Sequence, residues 1–141
     1  MGNGFIINGT TMQTVIDAAE CLLAPGAINL DWQDINNVLL RDGEAVIAFG
    51  SGTANARSIK ACDDTLLSYQ ITAGKGRKPA RALFRVTGPE NLLLSEVNAI
   101  KERIEGLVGT TGEVSYGVAI DNRLEDEIEI ILLATQEKPD G

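Results

Sequence analysis

Apolar positions change period several times along this 141-residue chain, and each change marks an element. Val15, Ala18, Ala19, Leu22 and Leu23 follow helical spacing behind Thr10 or Thr11, either of which can cap a helix start. Pro25-Gly26 stops that helix, since proline lacks a donor and glycine tolerates positive φ. A short helix is expected over 34–41, with Ile35, Val38 and Leu39 on one side. The apolar run 44–49, bounded by glycines, predicts a buried strand closed by Gly50-Ser51-Gly52. A longer helix is expected over 54–67, with Ala56, Ile59, Cys62 and Leu66 inward. Gly74, Gly76 and Pro79 then mark 70–79 as loop. Over 81–87, Ala82, Phe84 and Val86 alternate with Arg81, Leu83 and Arg85, the period of a strand. Leu93, Val97, Ile100, Ile104, Leu107 and Val108 give the clearest helix, with Gly109 placed to cap it. Strands over 113–121 and 128–135 follow, expected as an antiparallel pair because a short acidic turn joins them.

That order predicts an α/β (α+β) two-layer sandwich. Its four-stranded mixed sheet carries two amphipathic helices on one face, preceded by a helix and the loop after Pro25. Residues 1–24 read as an N-terminal extension, 25–135 as the domain and 136–141 as a disordered tail. The opening Met1-Gly2-Asn3-Gly4 also reads as a frayed end.

Composition narrows the chemistry. Apolar residues are 44% and charged residues 23% of the chain, ordinary values for a globular domain. No apolar stretch nears the roughly 18 residues needed to span a bilayer, and no signal peptide is evident, so a cytoplasmic protein without direct membrane insertion is expected. A formal charge of −8 argues against nucleic acid as the main partner. The absence of histidine removes Ser-His-Asp and Cys-His catalysis and every histidine-ligated metal site. Cys21 and Cys62 have no CxxC spacing and sit in apolar helical patterns, as small core residues would. One acid-free run, Lys75, Arg77, Lys78, Arg81 and Arg85, reads either as a solvated loop and strand edge or as a docking edge for an acidic surface. The acids Asp121, Glu125, Asp126, Glu127 and Glu129 are its candidate complement, within one molecule or between two.

The densest chemistry lies in Pro25-Gly26-Ala27-Ile28-Asn29-Leu30-Asp31-Trp32-Gln33-Asp34, which sets one amide and two carboxylates on a turn ahead of a helix. Asp34 is also an ordinary N-cap, whereas Asp31 has no capping role. This stretch resembles the synergy loop, P-G-x-I-N-x-D-F-x-D, of the C-terminal domain of FtsZ, the bacterial cell-division homologue of tubulin. Trp32 stands in place of the usual Phe. Gly50-Ser51-Gly52-Thr53-Ala54 matches the family's glycine-rich turn, and Glu96-Val97-Asn98-Ala99 is similar to its E-V-N-x-A run. Asp121-Asn122-Arg123-Leu124-Glu125-Asp126-Glu127-Ile128 resembles its D-P-x-M-x-D-E-L turn. Four motifs in register, over roughly residues 12–135, identify the chain as a member of the tubulin/FtsZ family.

The resemblance implies a cytoskeletal GTPase that polymerises head to tail for cell division. Asp31 and Asp34 would be the catalytic pair, with Asn29 and Gly26 supporting the loop; Asn29 orders it or touches a phosphate oxygen. Phosphoryl transfer to water needs the water positioned more than it needs covalent help. An ionised carboxylate can accept a hydrogen bond from that water, and two beside a triphosphate imply a cation between them. The family's glycine-rich phosphate loop and its nucleotide domain are absent from the sequence, and Gly74-Lys75-Gly76 has neither the spacing nor the hydroxyl of a P-loop. The chain alone is therefore expected to bind no cofactor, metal or nucleotide and to be inactive, with GTP and Mg²⁺ implied for the full-length protein. Its expected partners are the adjacent filament subunit and its own N-terminal nucleotide domain. Residues 68–80 replace the family's S-P-L-L segment, which opens a filament role other than division. A different reading remains: a protein-interaction or small-molecule module of this fold, in which Asp31 and Asp34 are turn and cap and Lys75, Arg77, Lys78 and Arg81 form the docking surface. A self-contained enzyme would have to run on the same carboxylate pair with a metal.

Overall fold

The computed structural model describes residues 3–7, 26, 28, 30, 33, 45–74, 79–109 and 113–136. Among these, the most apolar segment takes the middle of a sheet. Strand β5 (Ile128–Gln136) lies between β2 (Ala45–Gly52) and β3 (Pro79–Gly88), antiparallel to both. Strand β4 (Glu113–Ile120) runs parallel to β3, and β1 (Asn3–Ile7) pairs antiparallel with β2 at the far edge. The sheet order is thus β1-β2-β5-β3-β4. The expected four-stranded mixed sheet is present as β2 to β5, with β1 added.

Two helices, α1 (Arg57–Ala73) and α2 (Leu94–Val108), cover one face. Their Ala61, Cys62, Tyr69, Ile100 and Ile104 join Val46, Phe84, Ile130 and Leu132 in a single core. Residues of the opposite parity, Ile47, Leu83 and Leu133, are also buried. A strand covered on both faces reads as a continuous apolar run, which explains Ile130-Ile131-Leu132-Leu133.

Several expectations need correction. Asn3 and Gly4 are strand residues, because the open edge of β2 offers them a ladder. Helix α1 starts at Arg57 rather than residue 54, since Ala54 and Ala56 take left-handed φ of 63° and 59°. It also continues through residues read as loop, to Gly74 at φ 99°, whose N–H reaches the Gln70 carbonyl at 2.9 Å. Ala56 and Ile59 are exposed, and the inward face is Arg57, Ala61, Cys62, Thr65, Ser68, Tyr69 and Ala73. Nor do β4 and β5 pair. The turn between them crosses β3, with the Asp121 N–H on the Gly88 carbonyl at 2.8 Å, and delivers β5 to the interior of the sheet. The α2 crossover leaves β4 parallel to β3 at the other edge. The helices expected over 10–23 and 34–41 lie outside the described residues; Gln33, just ahead of the second, is helical.

Candidate functional site

Edge strand β4 exposes one row of backbone groups, and the loop after Pro25 takes it. Ile28 N–H donates to the Val118 carbonyl at 3.0 Å, and Val118 N–H donates back to the Ile28 carbonyl at 2.8 Å. Two glycines make the approach possible. A Cβ on Gly26 would stand 2.4 Å from the Val118 carbonyl oxygen, and one on Gly117 3.0 Å from that of Ile28. Leu30 is 5% exposed, with its Cγ over Gly117, whereas Ile28 remains 42% exposed. The loop is therefore clamped by backbone and one apolar side chain, beside a surface left open.

Of the loop residues singled out in the sequence, Gly26 sits half-buried against β4. Asn29, Asp31 and Asp34 lie outside the described residues, as do Lys75, Arg77 and Lys78. Arg81 is on β3, 3.4 Å from Glu113 of β4. Because β3 is internal, Arg81 and Arg85 do not lie on a strand edge, and Arg85 is buried. Arg81 and the acidic turn occupy opposite ends of β3, about 20 Å apart at the usual rise per residue, so the two do not pair within the molecule. Within the turn, Asp121 accepts from Arg123, which holds its carboxyl below the usual range. Cys62 is buried as expected, and burial pushes its thiol up to about 11, leaving it protonated and inert at neutral pH.

A residue missed in the sequence ties the motifs together. Arg57 donates to both Glu96 carboxylate oxygens at 2.8 and 2.9 Å, to Asn91 Oδ1 at 3.0 Å and to the Asp126 carbonyl at 3.1 Å. One guanidinium thus joins the helix opened by the glycine-rich turn, the start of α2 and the acidic turn into β5. Glu96 also accepts from the Leu93 N–H at 3.0 Å; leucine has no acceptor with which to complete a capping box. A signal was available, because a positive charge at the first position of a helix opposes the helix dipole and asks for a distant anion.

Beside this knot, an open cleft of about 330 Å³ is lined by Ser51, Asp64, Glu127 and Glu129. Among the described residues no cluster of three acidic or thiol side chains could hold a metal ion. Burial, then Glu127, pushes the Glu129 carboxyl up. A raised acid costs stability above its folded value, and the cost fades as pH falls toward the unfolded value. Glu129→Gln should therefore raise the urea midpoint at pH 7, and the gain should shrink by pH 4.

With this geometry, the chain can be set beside other proteins. A sequence profile described as "FtsZ family, C-terminal domain" matches residues 43–138, more than half of the chain. The chain belongs to the FtsZ family. Cell division protein FtsZ of Mycoplasmopsis pulmonis is 29% identical over 137 residues, 96% of this chain and 35% of that protein. The mitochondrial division protein fszA of Dictyostelium discoideum is 26% identical over 141 residues, again 96% of this chain and 26% of the relative. An FtsZ dimer from M. jannaschii shares the fold at a TM-score of 0.68 and 23% identity, over 92% of this chain and 41% of that one. The chain thus spans well under half the length of these FtsZ-family relatives. No helix among the described residues is long and apolar enough to cross a membrane.

Proposed function

We propose that this chain is the C-terminal part of a polymerising GTPase, and that its Asp loop completes the nucleotide site of an adjacent subunit in a head-to-tail filament. Asp31 and Asp34, ionised at neutral pH, would accept hydrogen bonds from the attacking water and hold it in line with the γ-phosphate. Asn29 would order the loop between them. GTP belongs to the neighbouring subunit's nucleotide domain, since no phosphate-cradling motif occurs in this sequence. Carboxylate oxygens are the donors that Mg²⁺ prefers, and the cation would neutralise charge between them and the triphosphate.

The observation that carries this reading is the clamp on β4, which holds the base of the loop while Ile28 beside it stays 42% exposed. A loop that donates groups to another molecule needs that combination of fixed depth and open flank.

The test is a chimaera in which this chain replaces the corresponding part of a complete FtsZ. Asp31→Ala is expected to lower kcat for GTP by about a hundredfold or more, with nucleotide binding retained. A parent rate in that variant would sink the proposal in favour of an interaction module. The chain alone should hydrolyse no GTP.

A further inference from the structure

We infer that Gly117 of β4 is a positioning residue for GTP hydrolysis, because its missing side chain sets the depth at which the Asp loop rests on the sheet. This inference builds on the function proposed above. The sequence offers no hint of it: Gly117 looks like a weak point in the strand 113–120, where glycine has neither side-chain contacts nor favourable backbone entropy. The structure gives it a reason. Ile28 and Val118 exchange two backbone hydrogen bonds of 3.0 and 2.8 Å, and Gly117 lies under the same short segment. A Cβ there would meet the Ile28 carbonyl oxygen at 3.0 Å and Leu30 Cγ at 3.1 Å. Gly26 repeats the arrangement from the loop side, where a Cβ would reach the Val118 carbonyl oxygen at 2.4 Å. At each glycine the nearest contact is thus a backbone oxygen, and at Gly117 the second is Leu30 Cγ, the branch point of a side chain that is itself buried.

Leu30, buried over Gly117, is one residue before Asp31, so a shift of Leu30 by a few tenths of an ångström is carried toward that acid by a single peptide link. Hydrolysis is sensitive to such shifts, since a misplacement of about 1 Å can cost a hundredfold in rate. Nucleotide affinity, which depends on another domain, is not. The expected signature is therefore a loss of kcat at constant KM.

Two variants in the same chimaera test this by different routes. Gly117→Ala pushes on the loop sterically. Ile28→Pro deletes the N–H that donates to Val118 and, Ile28 being exposed, removes little packing. Each should lower kcat for GTP by about threefold or more per folded molecule, with KM for GTP within twofold of the parent. Val118 N–H exchange, followed by NMR in this chain, should quicken by at least tenfold in both. Parent kcat in both variants, beside a slow Asp31→Ala, overturns this inference and leaves the proposed function standing. A loss that disappears once rates are scaled to the folded fraction makes Gly117 merely structural and overturns it equally. Parent kcat in Asp31→Ala overturns both.

Discussion

Arg57→Met is expected to destabilise this chain by about 3–5 kcal/mol, the usual cost of breaking a buried ion pair from one side. The pair is well shielded, with the Arg57 and Glu96 side chains 11% and 16% exposed. Methionine fills much of the space of the arginine stem, so the loss measures the charge left behind more than a cavity. Glu96 would keep the Leu93 N–H and lose its guanidinium, while Asn91 Oδ1 and the Asp126 carbonyl would lose their donor. Adding Glu96→Gln, which removes the stranded charge and keeps an acceptor for Leu93, should recover at least half of the loss. The pH dependence supplies an independent sign. Hydrogen bonding from Arg57 holds the Glu96 carboxyl below its ordinary value. Its contribution is therefore complete above the unfolded value near 4.5 and lost as pH falls through the lower folded one. Urea denaturation followed by circular dichroism should show parent and Arg57→Met far apart at pH 7 and converging in acid. A difference below about 1 kcal/mol at pH 7 would reduce the knot to the worth of a surface pair.

How far the fold can be read from sequence depends on whether neighbouring residues or distant ones decide each element. Helix α2 faces the sheet with one stripe, and its spacing names Val97, Ile100, Ile104 and Val108 directly. Helix α1 does not, because it lies against glycines of β2 and needs small and polar residues there, so its apolar stripe names Cys62 correctly but misplaces Ala56 and Ile59. Ile59, Leu67 and Ile71 are exposed for the same reason. Proximity in sequence suggested that β4 and β5 pair, but burial on both faces favours β5 in the sheet interior, and no local pattern encodes that choice. The Asp loop is a proposal that the sequence alone supplies through its two carboxylates, which lie outside the described residues. Its seat was not legible, since residues 28 and 118 meet only after the whole sheet has formed.

Gly50→Ala is the counterpart of the arginine test, aimed at the same helix through packing alone. A Cβ at Gly50 would stand 2.1 Å from Thr65 Oγ1, 2.4 Å from the Thr65 nitrogen and 2.7 Å from the Ala61 carbonyl oxygen. Rotating Thr65 away would relieve only the first contact and would cost its 2.7 Å hydrogen bond to Ala61. The other two contacts are helix backbone, so α1 itself must lift off β2. Gly52 faces the same helix at its first turn, with a Cβ 2.3 Å from the Arg57 carbonyl oxygen. Any lift at Gly50 therefore also pulls on the arginine knot. Overpacking of this kind costs about 3 kcal/mol, the upper end of the usual range, and the coupling to Arg57 should add to it. Gly106→Ala supplies the control, since that helical glycine has nothing within 4 Å of its added Cβ. There alanine should stabilise by roughly 0.5–1 kcal/mol through helix propensity. One substitution type, made at two sites of one chain, should thus move the urea midpoint in opposite directions. Equal shifts at both sites would mean that α1 does not rest on β2 through these glycines.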